Sequence, residues 1–222
     1  RKIMNGRHAP EVLSLMVDDG TIQHIMPSLR FVTPELLALF GKNVNDSWLL
    51  KHRLGFLLVE FDTLEVKRTL GNLKLPKFLL NDTIRFHRNL GTIPDAHTSS
   101  LRVFRYCLGE DAPIHLRLQG LLSVASVTVH GRGLLEGNMV EVMRKWSSLS
   151  PQQTPNESLV DGHWIMMRAG VEQGVRLGRL KNWLHRIQIE HDITEVNEIE
   201  QHLSRLSWRH GEPLEWPQLQ FP

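Results

Sequence analysis

"GLLSVASVTV", residues 120–129, decides between an all-helical chain and a mixed one. Val124, Val127, Thr128 and Val129 suit a strand, where a β-branched side chain loses little freedom. A strand must pair its backbone with a partner, and an isolated one here would have none. Residues 113–129 therefore read as a helix. The flanking sequence argues the same way, because its dominant period is helical.

Four stretches before this run carry helix punctuation. "APEVLSLMVDDG" (9–20) places Val12, Leu13, Leu15 and Met16 on one side and stops at Gly20, a favourable residue after a helix end. "TPELLALFG" (33–41) offers Thr33 as N-cap, Pro34 at the first helical position and Gly41 past the end. "LPKFLLNDTIRFHRNLG" (75–91) starts at Pro76 and ends at Gly91, and "TLEVKRTLG" (63–71) follows the same grammar. "NDSWLLKHRLGFLLVEF" (45–61) repeats Trp48, Leu49, Arg53, Phe56 and Leu57 at spacings that suit a mostly buried helix. Further helices are expected at 98–109, 133–149, 160–169, 174–190 and 194–207, with "HGRG" (130–133) as an interhelical turn. The fold class is all-α, a multi-helical array of short helices.

The segment 148–158, "SLSPQQTPNES", has two prolines and no apolar period, and reads as a linker. It divides a helical body (1–147) from a helical tail (159–207). Residues 208–222, which end in "HGEPLEWPQLQFP", read as an extended strap or a disordered end.

The 222 residues are 41% hydrophobic and 23% charged, ordinary values for a soluble globular protein. A single cysteine, Cys107, excludes an intrachain disulfide, fits a reducing, cytoplasmic setting and reads as a small buried apolar residue. The longest weakly polar run, 120–129, is too short to span a bilayer, and no signal peptide is legible. The chain starts at Arg1, within what reads as a helix, so a fragment of a longer protein is expected.

Catalytic patterns are not legible. Two-metal phosphoryl transfer needs carboxylates presented together, and the chain has no Asp-x-Asp. Glu60/Asp62 and Glu198/Glu200 lie two apart, so on a helix they diverge and read as solvated charges. Asp18 and Asp19 read as the polar end of a helix. His191–Asp192 lacks further ligands for a phosphohydrolase metal. None of the twelve histidines forms a ligand set. Phosphate-binding loops and nucleophile elbows are also missing. No catalytic or metal-binding residue is assigned.

Charge is more informative in its distribution than in its total. The formal net charge is only +2. Residues 67–105 nevertheless hold Lys67, Arg68, Lys74, Lys77, Arg85, Arg88, Arg102 and Arg105 against Asp82 and Asp95, an excess of six cations. Residues 192–216 hold six carboxylates against Arg205 and Arg209, an excess of four. Lys77, Arg85 and Arg88 could share a helix edge, with Phe78, Ile84 and Phe86 turned elsewhere. Such an edge suits RNA phosphates or is a solvated face. In and just after "DGHWIMMRAGVEQGVRLGRL" (161–180), Arg176, Arg179, Lys181 and Arg186 follow Gly170 and Gly174. A helix start there could meet a phosphate, or Gly174 and Gly178 could let two helices pack closely.

Several of these stretches together resemble one family. "KIMNGRHAPEVLSLMVDDGTIQHIMPSL" (2–29) resembles the neck of bacterial-type (class II) CCA-adding tRNA nucleotidyltransferases and related poly(A) polymerases, with Ser28 where Glu is usual. "RLGFLLVEFD" and "LGNLKLPKFLLNDTIRF", within 53–86, resemble the body. "VDGHWIMMRAGVEQGVRLGRLKNWLHRIQIEHDITEVNEIEQHL" (160–203) resembles the tail. Gly162, Met166, Gly170, Gly174, Gly178 and Thr194 fall in its register, while Gln173 and Val175 replace two prolines. Phe61 before Asp62 does not match the metal dyad that some members carry in the body.

The resemblance implies a tRNA-binding C-terminal portion, inactive alone, with tRNA held by its backbone. Lys74, Lys77, Arg85, Arg88, Arg102, Arg105, Arg168, Gly170, Gly174, Arg176, Arg179 and Lys181 are the expected RNA contacts. It implies no cofactor in these residues. Mg²⁺ and the transfer of CMP and AMP from CTP and ATP would belong to an upstream head. The other readings are a poly(A) polymerase fragment and a non-catalytic helical interaction module.

Overall fold

The computed structural model describes residues 2–6, 8–27, 29, 32–44, 47–125, 127–130 and 138–221. In chain order the α-helices are α1 (Lys2–Asn5), α2 (Ala9–Asp18), α3 (Thr21–Ile25), α4 (Pro34–Asn43), α5 (Leu50–Leu57), α6 (Thr63–Gly71) and α7 (Lys77–Asn89). They continue as α8 (Thr98–Leu108), α9 (Ala112–Val124), α10 (Met139–Ser147), α11 (Gly162–Ala169), α12 (Val175–His191) and α13 (Val196–Arg205). No strand occurs among the described residues, and the fold is all-α.

The chain forms two compact units. One comprises residues 1–93 and 113–140, the other 94–112 and 141–222.

In the first unit, polar residues set the helix starts. Thr33 Oγ1 accepts the Leu36 N–H at 3.3 Å, and Glu60 holds Thr33 in turn, accepting its backbone N–H at 3.2 Å. Asp62 caps α6 by accepting the Glu65 N–H at 2.8 Å, which also holds the Asp62 carboxyl below its ordinary pKa. The core gathers around α5, where every residue from His52 to Leu57 is buried. Phe56 packs 5.6 Å from both Phe40 and Trp48, centroid to centroid. Gly55 sits against α7 so closely that a Cβ there would lie 2.6 Å from the Phe86 ring. The buried Arg53 guanidinium donates to Trp48 O at 3.0 Å and to Met4 O at 2.6 Å, tying α1 to α5.

Several helix boundaries differ from the sequence reading. Gly41 lies inside α4, whose last residue is Asn43. The helix expected over 45–61 is α5, eight residues long, and residues 45 and 46 lie outside the described residues. The run 120–129 is helical only to Val124. Val127 and Val129 leave the helix and are still buried, and the His130 N–H donates to Val59 O at 2.7 Å. Val127 and Val129 thus serve as core plugs in irregular backbone, whereas Val124 and Thr128 are exposed. Of the expected helix 133–149, α10 covers 139–147; residues 133–137, and 131–133 of the expected turn, lie outside the described residues.

In the second unit α12 is the central helix, burying Leu177, Leu180, Leu184, Ile187 and Ile189. The helices α8, α11 and α13 pack against it. The segment 148–158, expected as a linker, lies within this unit and is fixed to α12. Gln188 is buried and donates to Thr154 Oγ1, Pro155 O and Glu157 O at 3.0–3.1 Å, while its Oε1 accepts the Leu159 N–H at 2.9 Å. Asp192 Oδ1 accepts the N–H groups of Gln153 and Thr154 at 2.8 and 2.9 Å. Among the C-terminal residues Pro213–Glu215 form a 3-10 turn, Trp216 is buried, Asn182 accepts the Leu219 N–H at 2.6 Å, and Phe221 meets Phe104 edge-on at 4.9 Å.

Candidate nucleic-acid interface

The helix α7 has two contrasting sides. Thr83, Phe86, His87 and Asn89 are buried. Lys77, Phe78, Asn81, Arg85 and Arg88 are exposed. At about 100° per residue, these five positions span about 100° of the helix circumference and so form one face. Lys74, just before the helix, is exposed as well and adopts a left-handed φ of 47°.

Lys77, Arg85 and Arg88 therefore do share a face, as their spacing suggests. Phe78 does not turn elsewhere. It stands among them, 70% exposed. Arg85 pairs with Asp82 at 3.4 Å, and this solvent-exposed ion pair contributes little. The α7 cations thus remain available to an anionic partner. Lys77 lies in the first turn, where a cation opposes the helix macrodipole, so helix stability does not explain its presence.

The expected contacts of the second unit are differently placed. Arg102 is half-buried and donates to Glu190 O at 3.2 Å and to Asp192 Oδ2 at 3.3 Å. Arg105 donates to Ser150 O at 2.9 Å, and burial together with the nearby Arg102 charge lowers its pKa. Arg176 donates to Trp208 O at 3.2 Å and lies over the Trp216 ring at 5.4 Å. These three guanidiniums hold the second unit together. Arg168 is exposed and pairs with Glu200 at 3.1 Å. Arg179 is half-buried and Lys181 exposed. Gly170, with φ 66°, ends α11, and Gly174, with φ 155°, starts α12. A Cβ at Gly174 or Gly178 would meet nothing within 4 Å, so neither glycine admits a close helix neighbour. The four α7-side cations and the eight second-unit residues belong to separate compact units.

Residue pattern alone did not reveal the buried polar groups. His87 is fully buried, its Nε2 donates to Leu58 O at 3.0 Å, and its ring lies 4.5 Å from that of His130. Burial first, and the His130 charge second, push the His87 pKa down to about 4. Cys107 is half-buried and burial raises its thiol to about 11, which disfavours the reactive thiolate. No group of three His, Cys, Asp or Glu residues that could hold a metal ion occurs among the described residues. No helix among them is long and apolar enough to cross a membrane. Comparison of the chain with protein-family models, curated proteins and solved structures finds no match.

Proposed function

We propose that this chain is an RNA-binding helical module that docks a phosphate backbone on the exposed face of α7. The observation that carries the reading is the clustering of Lys74, Lys77, Arg85 and Arg88 on and beside one exposed helix side. Cations held this way release counterions from nucleic acid on binding and recognise backbone without reading sequence. The resemblance of residues 2–29, 53–86 and 160–203 supplies the RNA class. In this reading the chain is the tRNA-holding C-terminal portion of a CCA-adding tRNA nucleotidyltransferase or a related poly(A) polymerase. Mg²⁺ and nucleotide chemistry are assigned to a head, not to these residues. Within the second unit, Arg179 and Lys181 at the start of α12 are the favoured further contacts, because the expected arginines 102, 105 and 176 are engaged by the protein itself.

The test is an anisotropy titration with tRNA across a range of salt. Four phosphate contacts predict that log K falls with log salt with a slope of roughly −3. Replacing Lys77 and Arg88 by Glu should weaken binding and reduce that slope by about 2. No tRNA binding at low salt would overturn the reading and favour a protein-interaction module.

A further inference from the structure

The second feature of the α7 face is its aromatic ring. Lone exposed apolar residues are common on protein surfaces and need no explanation. Phe78 differs in its company. The other exposed positions of α7 are Lys77, Asn81, Arg85 and Arg88, so no second apolar side chain on this helix joins it. A helix face that docks a protein groove presents apolar anchors at repeating three- and four-residue spacings, which α7 does not do on this side. Phe78 and Arg85 are seven residues apart and fall on nearly the same line along the helix, about 10 Å from each other. Lys77 and Arg88 define a neighbouring line about 16 Å long. A flat ring in line with one cation and beside a second cationic line matches a strand that offers both phosphates and uncovered base faces.

We infer that Phe78 is a stacking platform for an unpaired base of single-stranded RNA, with Lys77, Arg85 and Arg88 holding the adjacent phosphates. This rests on the RNA-binding reading and narrows it. The α7 face takes a single-stranded segment, and a continuous duplex offers it phosphates but no free base. Stacking on one ring is tolerant of base identity, so little sequence preference is expected.

The test uses the whole chain and three probes: a short single-stranded oligoadenylate, a blunt RNA duplex, and heparin, a polyanion without bases. Phe78→Ala should weaken oligoadenylate binding roughly 10-fold with the salt slope unchanged. The same substitution should leave duplex and heparin binding unaltered, and Phe78→Trp should retain wild-type affinity. Because Phe78 is exposed, circular dichroism should show the same helix content in every variant. Unchanged oligoadenylate binding by Phe78→Ala overturns the stacking inference and leaves the RNA reading standing. Equal losses for oligoadenylate and heparin overturn it too, since heparin has nothing to stack. If the unmodified chain binds neither RNA probe, the RNA reading itself falls.

Discussion

Arg102 and Asp192 form a half-buried ion pair, Nη2 to Oδ2 at 3.3 Å, although they are ninety positions apart in the chain. The pair joins α8 to the C-terminal end of α12, and Asp192 adopts a left-handed φ of 59° to reach it. The other carboxylate oxygen accepts two backbone N–H groups from the segment that follows α10. One side chain thereby fixes two helices and a proline-bearing loop.

Asp192→Ala removes the acceptor for all three donors and leaves a half-buried guanidinium without its counter-charge. The expected cost is about 3 kcal/mol in the second unit. Asp192→Asn keeps an acceptor and tolerates the left-handed backbone, so it should cost closer to about 1 kcal/mol. Hydrogen exchange at the Gln153 and Thr154 amides reads the effect locally, which matters in a chain of two compact units where global unfolding need not be two-state. Arg102→Ala should destabilise in the same place while leaving the salt dependence of RNA binding unchanged. A reduced slope would instead place Arg102 on the RNA.

This pair also shows where the sequence stops being informative. The helical period and the Thr33 cap are local, so α4 was legible from a few neighbouring residues, whereas Asp62, which reads as a solvated helix charge, in fact caps α6. The exposed cations of α7 were legible for the same reason. The segment 148–158 looks like a linker because it has two prolines and no apolar period. What fixes it is Gln188 and Asp192, thirty or more positions away. Phe78 failed in the opposite sense. A phenylalanine is expected to turn inward, and only the orientation of α7 against α5 reveals that it faces out with the cations. Arginines 102, 105 and 176 counted as surface charge in the sequence, whereas their stems and guanidiniums serve packing.

His87 sets a pH dependence for the first unit. Its pKa lies at about 4 in the folded chain against an ordinary 6.5, because burial disfavours the charged ring. Leu58 O, the Phe61 backbone, His130 and Asp62 are the groups that act on it. The folded state keeps the ring neutral, while the unfolded chain takes up a proton below pH 6.5. The contribution is therefore complete above pH 6.5 and is lost as pH falls toward 4, amounting to about 3 kcal/mol. Urea unfolding followed by fluorescence across this range should show the decline. His87→Gln, whose amide can still donate to Leu58 O, should flatten it; an unchanged slope in that variant would assign the loss to other groups.

Gly174 and Gly178 separate backbone need from packing need. A Cβ at either position meets nothing within 4 Å, so space does not distinguish them. Conformation does. Gly174 starts α12 with φ 155° and ψ −165°, a region that side chains rarely enter, whereas Gly178 lies inside the helix on its exposed side. Gly174→Ala should therefore cost about 1–3 kcal/mol through backbone strain. Gly178→Ala should stabilise by about 0.5–1 kcal/mol, because a helix-interior glycine pays entropy that alanine does not. Thermal unfolding of the two variants should shift in opposite directions. A destabilised Gly178→Ala would mean that something approaches this helix face closely in solution, which would restore close packing as the reason for that glycine.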